Sequence, residues 1–305
     1  FIISQPAVTM SVLHIQTPLI ESRALSALLG RPVWLKLENT QPSGSFKLRG
    51  IGHACQWHVR QGATGFVSSS GGNAGLAVAY AGRKLGSPVT VVVPETATER
   101  AKELIRMEDA SVIVHGAAWD QAHRYAQTLV NANTPLIHPF DDPLLWEGHA
   151  SLLDEVAQAG LRPDLLVCSV GGGGLLQGML TGLDRRGWQD TAVLAVETEG
   201  AASFAAALQA GHAVTLPAMK TIANSLASAR VCDAVVQSAL SHTVRSALVS
   251  DDQALSACQR FAHDHRILVE PACGAALAAL YETPHAVGGA QVVLVVVCGG
   301  VGVRG

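Results

Sequence analysis

Short apolar runs recur along this chain with almost no polar alternation inside them. Residues 89–93, 165–169, 193–196 and 292–297 are mostly Val, Leu, Ile and Ala. A strand with one wet face alternates apolar and polar side chains. A strand that is apolar throughout is covered on both faces, the usual situation of a parallel sheet wrapped in helices. Residues 33–37, 65–68 and 112–114 add further short strands, and the Ala- and Leu-rich stretches 73–85 and 98–108 read as helices between them. This alternation predicts an α/β fold with two open, mainly parallel twisted sheets, each flanked by helices. In such sheets ligands bind beyond the carboxyl ends of the strands, so the strand-to-helix turns are where chemistry is sought.

Composition narrows the class further. A chain of 305 residues corresponds to about two domains and buries roughly 75% of its unfolded surface. With 49% hydrophobic and 15% charged residues it reads as a compact enzyme. A net charge of −3 without runs of Lys or Arg argues against nucleic acid as a partner. No apolar run approaches the ~20 residues of a membrane helix. Cys55, Cys168, Cys232, Cys258, Cys273 and Cys298 form no C-x-x-C pair, which fits free thiols in a reducing cytoplasm. Phe1 opens no recognisable signal peptide, and the missing initiator Met points to a trimmed start. The 12 histidines include no H-E-x-x-H; His263-Asp264-His265 reads as a polar patch near a helix end. Glu270-Pro271 reads as a helix start.

Four turns stand out. In Ser43-Gly44-Ser45-Phe46-Lys47 a lysine opens a helix after a flexible turn. Burial and the helix N-terminus would both lower its pKa and supply the neutral amine a Schiff base needs; an ordinary surface lysine is the alternative. Ser70-Gly71-Gly72-Asn73-Ala74 follows a strand and can gather backbone N–H groups around a carboxylate, or simply make a tight turn with Asn as cap. Gly171-Gly172-Gly173-Gly174-Leu175 has an entropic cost that a merely flexible loop does not require. Close approach of amides to a phosphate accounts for it better. It matches neither the dinucleotide G-x-G-x-x-G order, Glu197 standing at the wrong offset, nor a Walker A loop. Finally, residues 292–297 deliver Cys298 to Gly299-Gly300, where a buried cysteine acting as a small hydrophobe is the plain alternative.

Taken in order, Ser-Gly-Ser-Phe-Lys, Ser-Gly-Gly-Asn-Ala-Gly, Gly-Gly-Gly-Gly-Leu and Val-Cys-Gly-Gly resemble the fold-type II pyridoxal 5′-phosphate (PLP) enzymes, with the tryptophan synthase β-like fold. Within them the chain is most similar to the serine/threonine dehydratases, and among these to short serine dehydratases without a regulatory domain. Pro139-Phe140-Asp141-Asp142-Pro143, Trp146-Glu147-Gly148-His149-Ala150 and Val269-Glu270-Pro271-Ala272 agree with this. The resemblance implies a large domain from residues 1–40 and 144–305 and a small domain, 41–143, inserted in it. It implies that Lys47 forms the Schiff base, Phe46 flanks the ring, Asn73 holds the ring oxygen, Gly171 to Leu175 cradle the phosphate and Cys298 faces the pyridine nitrogen. It assigns Ser70, Gly71, Gly72, Asn73 and Ala74 to the substrate carboxylate. It also assigns Glu197, with carbonyls near Ala201 and Ser228, to a monovalent cation such as K+, and a homodimer as the assembly.

The implied reaction is elimination of water from L-serine or L-threonine, giving pyruvate or 2-oxobutanoate and ammonia. Gly71 has no side chain where serine racemases carry a hydroxyl, which disfavours racemisation. Leu48 and Asn73-Ala74-Gly75 depart from cysteine synthases. Threonine deaminases more often carry Asn-His where this chain has Asn73-Ala74, a tilt towards serine; one methyl discriminates by only ~1–3 kcal/mol. Another β-elimination or β-replacement enzyme (threonine deaminase, threonine synthase-like or cysteine synthase-like) and a weakly active PLP-binding protein stay open. The ending Val301-Gly302-Val303-Arg304-Gly305 departs from the family.

Overall fold

The computed structural model describes residues 11–300 and Gly302; apart from Gly302, the atypical C-terminal ending lies outside the described residues. Along the chain, β1 (Leu19–Glu21), α1 (Arg23–Leu29) and β2 (Val33–Lys36) lead to α2 (Lys47–Arg60). Then come β3 (Phe66–Ser68), α3 (Asn73–Leu85), β4 (Val89–Val93), α4 (Glu99–Met107), β5 (Ser111–Val114) and α5 (Trp119–Thr128). The remainder runs α6 (Pro143–Gln158), β6 (Leu165–Ser169), α7 (Gly174–Arg186), β7 (Ala192–Thr198), α8 (Ser203–Ala210) and α9 (Asp233–Ser241). It ends with β8 (Val244–Val249), α10 (Asp251–His265), α11 (Pro271–Tyr281) and β9 (Val293–Val296).

The strands form two sheets. The larger has the order β1-β2-β9-β6-β7-β8 and is parallel except for the antiparallel edge pair β1/β2; the smaller is β3-β4-β5, all parallel. Strand β9, nearly the last segment of the chain, is inserted between β2 and β6, with Val293 in register with Val33 on one side and Leu165 on the other. Its four residues are fully buried, as a Val-rich strand covered on both faces must be. A short segment extends the small sheet beside β3: Val67 N–H donates to the Pro135 carbonyl at 3.0 Å, and Ile137 N–H donates to Val67 at 2.9 Å. One large apolar core surrounds the six-stranded sheet, and two smaller ones cover the faces of the three-stranded sheet.

Close helix packing joins the two parts. A Cβ on Gly50 of α2 would lie 2.5 Å from the Leu145 carbonyl of α6, and one on Gly178 of α7 would lie 2.4 Å from His149 Cβ. Beneath α2 lies a buried ionic network. Arg49 contacts both Glu38 and Glu155 at 2.7 Å, and Lys36 pairs with Glu155 as well. Arg49 and Glu38 are fully buried. Removing any one of these charges would leave an uncompensated partner in the interior. Among the described residues no helix is long and apolar enough to cross a membrane, and no three His, Cys, Asp or Glu side chains cluster as metal ligands.

Candidate active site

Four turns meet at the carboxyl ends of the two sheets. The lysine turn is fastened to the end of β9 through the backbone. Asn39 N–H donates to Val297 at 3.0 Å, Phe46 N–H to Cys298 at 2.9 Å, and Gly300 N–H to Gly44 at 3.0 Å. Ser45 and Gly299 form an antiparallel bridge. Lys47 is therefore the first residue of α2 and stands beside Cys298. Its amine donates to the Pro139 carbonyl and lies 5.2 Å from the centroid of the Phe46 ring. That ring also meets the buried His149 ring at 4.9 Å. Withdrawal from water lowers the Lys47 pKa to about 8, against the opposing pull of the Glu270 carboxylate. The Cys298 thiol is pushed well up by its contact with the Cys273 thiol, by burial and by the nearby Glu270 carboxylate, so it is a neutral thiol at neutral pH.

The second turn opens α3, whose first residue is Asn73. Gly72 caps this helix without a side-chain bond. A Cβ on Gly75 would come within 1.7 Å of the Ser70 carbonyl, so the helix can start this close to the turn only with glycine there. Ser70 and Gly71 are half-buried, Gly72 is exposed, and Asn73 and Ala74 are buried. The Asn73 Nδ2 donates to Glu270 Oε1 at 2.7 Å and to Ser225 Oγ at 3.3 Å, while its Oδ1 is buried without a partner.

The third turn follows β6. Gly173 caps α7 at φ +92°, in the left-handed region, and no side chain caps this helix either. The N–H groups of Gly171, Gly172, Gly173, Gly174 and Leu175 carry no acceptor among the described residues. Free amides at a helix N-terminus form an anion site. The turn is also tightly overlaid: a Cβ on Gly172 would lie 2.3 Å from the Phe140 ring, and one on Gly171 would lie 2.9 Å from the Ser225 carbonyl. Ser225 thus touches both Asn73 and the glycine turn, and the Pro139-Phe140 pair touches both Lys47 and that turn.

The expected residues Phe46, Lys47, Asn73, Gly171 to Leu175 and Cys298 therefore come together, with residues 70–74 at the edge of the same region. Glu197 is buried elsewhere, at the end of β7. Its carboxylate accepts the N–H groups of Phe204 and Ala205 at 2.8 Å each, at the start of α8. Burial raises its pKa to about 7, against those two bonds. Ala201 is buried just before α8, and the Ser228 hydroxyl donates to the Arg230 carbonyl. No hydrogen bond joins either residue to Glu197 among the described residues. Sequence reasoning missed Glu270 as a site residue, reading it only as a helix start. It also attached no chemistry to Ser225, His138, Pro139, Phe140 or His149. The Glu270-Pro271 and Pro139-Phe140 stretches were visible, but only as matches to a pattern.

Parallel sheets that gather an amine and a rim of free amides at their carboxyl ends are the framework of the fold-type II PLP enzymes, and this is the fold of the chain. The chain belongs to the pyridoxal-phosphate dependent enzyme family, whose model matches residues 10–299. It is 50% identical over 271 residues to a serine dehydratase-like protein of Mus musculus, covering 88% of this chain and 82% of that protein. It is 44% identical over 301 residues to the L-serine dehydratase/L-threonine deaminase of Homo sapiens, covering 94% and 91%. A fungal L-serine ammonia-lyase from Rhizomucor miehei superposes with a TM-score of 0.91 at 38% identity, covering 95% of each chain.

The residues present fit the family's cofactor. A phosphate finds the unpartnered amides of Gly171 to Leu175, and an aldehyde finds an amine of lowered pKa. A polar ring substituent finds the Asn73 side chain, one atom of which is buried without a partner.

Proposed function

We infer that this protein is a PLP-dependent L-serine dehydratase, acting also on L-threonine. It removes water across Cα and Cβ of the amino acid, and hydrolysis of the product yields pyruvate or 2-oxobutanoate and ammonia. The observation that carries the reading is the neutral Cys298 thiol fastened beside Lys47. When bound, the cofactor would supply an electron sink for the bond broken at Cα; Cys298 would be the neighbour of its ring nitrogen, and a neutral thiol there would favour prompt loss of a β-substituent over transamination.

The chain's own residues do the rest. Lys47 would hold the cofactor, and its Nζ would take the Cα proton of the substrate. A pKa near 8 suits both tasks, because the amine can be neutral before proton transfer and charged after it. The amides of Gly171, Gly172, Gly173, Gly174 and Leu175 hold the phosphate, with the N-terminus of α7 behind them. Phe46 flanks the ring and Asn73 holds the ring oxygen. Ser70, Gly71, Gly72, Asn73 and Ala74 fix the substrate carboxylate, which orients the Cα–H bond. Gly71 offers no hydroxyl to return a proton to the opposite face, so elimination is favoured over racemisation.

Four finer points belong to the same proposal. Residues 41–143 form the small domain and 1–40 with 144–305 the large one, a division supported by the separate sheets. Glu197, with carbonyls near Ala201 and Ser228, takes a monovalent cation such as K+; a buried acid with a raised pKa supports this. The six cysteines are free, which suits a cytoplasmic setting. The assembly is a homodimer, as the resemblance implies.

The test is to incubate the purified holoprotein with L-serine and L-threonine side by side and measure keto acid. Pyruvate from L-serine is expected. Absorbance at about 410–430 nm, the mark of bound cofactor, with no keto acid from either substrate would refute dehydratase activity.

A further inference from the structure

We propose that His138 is a positioning residue, which holds the Pro139 carbonyl on the Lys47 amine and the Phe140 ring on the glycine turn. The proposal rests on the reading of Lys47 as the reacting amine. His138 follows the segment that runs beside β3, so it stands at the carboxyl end of the small sheet. Its Nδ1 accepts the N–H of Asp141 at 2.8 Å and that of Phe140 at 3.3 Å. One ring nitrogen thus closes the turn His138-Pro139-Phe140-Asp141. The edge of the same ring meets the Phe140 ring, with centroids 4.8 Å apart. Pro139 is buried and its φ is fixed by the pyrrolidine, so the direction of its carbonyl follows the turn. That carbonyl accepts from Lys47 Nζ, and the Phe140 ring lies 2.3 Å from where a Cβ on Gly172 would be.

An imidazole accepts at Nδ1 only while that nitrogen is unprotonated. Burial, with His123 and Lys47 nearby, lowers the His138 pKa to about 4, so the acceptor persists through the neutral range. The other titratable groups around the Lys47 amine are Cys298 after β9, Glu270 at the head of α11, and His149 on α6. A carbonyl acceptor favours the ammonium form, whereas burial disfavours it. His138 therefore sets part of the Lys47 titration, and it returns the free amine to one place each time it is displaced.

The test reads Lys47 in the apoprotein, apart from turnover. The acetylation rate of Lys47 is followed against pH by peptide mass spectrometry. In His138→Ala the turn loses its acceptor, the carbonyl is free to swing away, and the Lys47 midpoint falls by roughly one pH unit. In His138→Asn the amide oxygen can accept the same two N–H groups, as asparagine does in turns, and the midpoint returns towards wild type. In the holoenzyme, kcat falls about tenfold or more in His138→Ala, KM changes less, and His138→Asn regains much of the loss. An unchanged Lys47 midpoint in folded His138→Ala, or a His138→Asn variant as defective as the alanine, overturns the proposal. Should His138→Ala fail to fold, 15N NMR of the wild-type protein decides: Nδ1 unprotonated at neutral pH supports the proposal, and Nδ1 protonated overturns it. A shifted midpoint in a protein that never turns over serine would count against the dehydratase reading and leave this one standing.

Discussion

The proposed covalent capture of PLP by Lys47 of the apoprotein has a quantitative signature. Only the neutral amine attacks an aldehyde. With a pKa of about 8, the neutral fraction is about 1% at pH 6, about 9% at pH 7 and about half at pH 8. An ordinary lysine at 10.5 would be only about 0.03% neutral at pH 7, so burial raises the reactive fraction roughly 300-fold. The capture rate, followed by absorbance after mixing and divided by that of a free N-acetyl-lysine amine to remove the aldehyde's own ionisation, has a definite shape. Taking out the free amine's rise with pH, the protein's own rate climbs about ninefold from pH 6 to 7, about fivefold from 7 to 8 and less than twofold beyond. Glu270→Gln removes a negative neighbour that favours the ammonium, so the plateau begins at lower pH. A rate that keeps climbing about tenfold per unit past pH 9 would show that the amine is not desolvated, and the account of its activation would fail.

Three further perturbations follow from the packing and the charges. Gly172→Ala places a Cβ 2.3 Å from the Phe140 ring; the overpacking is expected to cost about 1–3 kcal/mol in urea unfolding of the apoprotein and to weaken cofactor binding in direct titration. Arg49→Met leaves the fully buried Glu38 without its cation; breaking one side of a buried pair costs about 3–5 kcal/mol, read by the same unfolding assay. Glu197, with a folded pKa raised to about 7 from 4.5, binds its proton more tightly folded than unfolded. Its contribution to stability is therefore fully present below about pH 4.5 and is lost as pH rises to about 7. A cation at this carboxylate would offset that loss, so K+ should raise the melting temperature more at pH 8 than at pH 5 relative to tetramethylammonium, and Glu197→Gln should abolish the difference.

The parts of the fold that were legible are those where burial on both faces leaves one reading. Residues 89–93 and 165–169, read as strands, and 73–85, read as a helix, coincide with β4, β6 and α3. The edge strands of the six-stranded sheet were not legible. Strand β8 carries Arg245 and Ser246 and is half-buried or exposed except at Val249, and β1 has only three residues ending in Glu21. With one side unpaired, these two segments carry polar residues and lose the apolar signature. The place of β9 between β2 and β6 was also hidden, because insertion of a late strand between earlier ones is decided by pairing across the whole chain and leaves no local mark.

Within the site, the turns were legible because their backbones demand unusual residues. Four consecutive glycines and a glycine directly after Asn73-Ala74 are statements about close approach, and the Cβ positions at Gly75 and Gly172 give that approach a distance. The partners that tune the site make no such demand. Glu270 serves as the residue before a helix-starting proline, an ordinary place for an acid, yet its carboxylate reaches Asn73 and Gly302 and lies near Lys47 and Cys298. His138 accepts two backbone N–H groups, a task that Asn or Asp performs in many turns. What distinguishes both is not their type but where they stand: Glu270 meets Asn73, and the turn that His138 closes meets Lys47, each more than ninety positions away. Lys47 itself is an ordinary residue in sequence, and its reactivity comes from the Phe46 ring, the Pro139 carbonyl and the end of β9 closing around it. The chemistry of this amine is therefore a property of three chain segments brought together, and a change in any one of them should register first as a change in its titration.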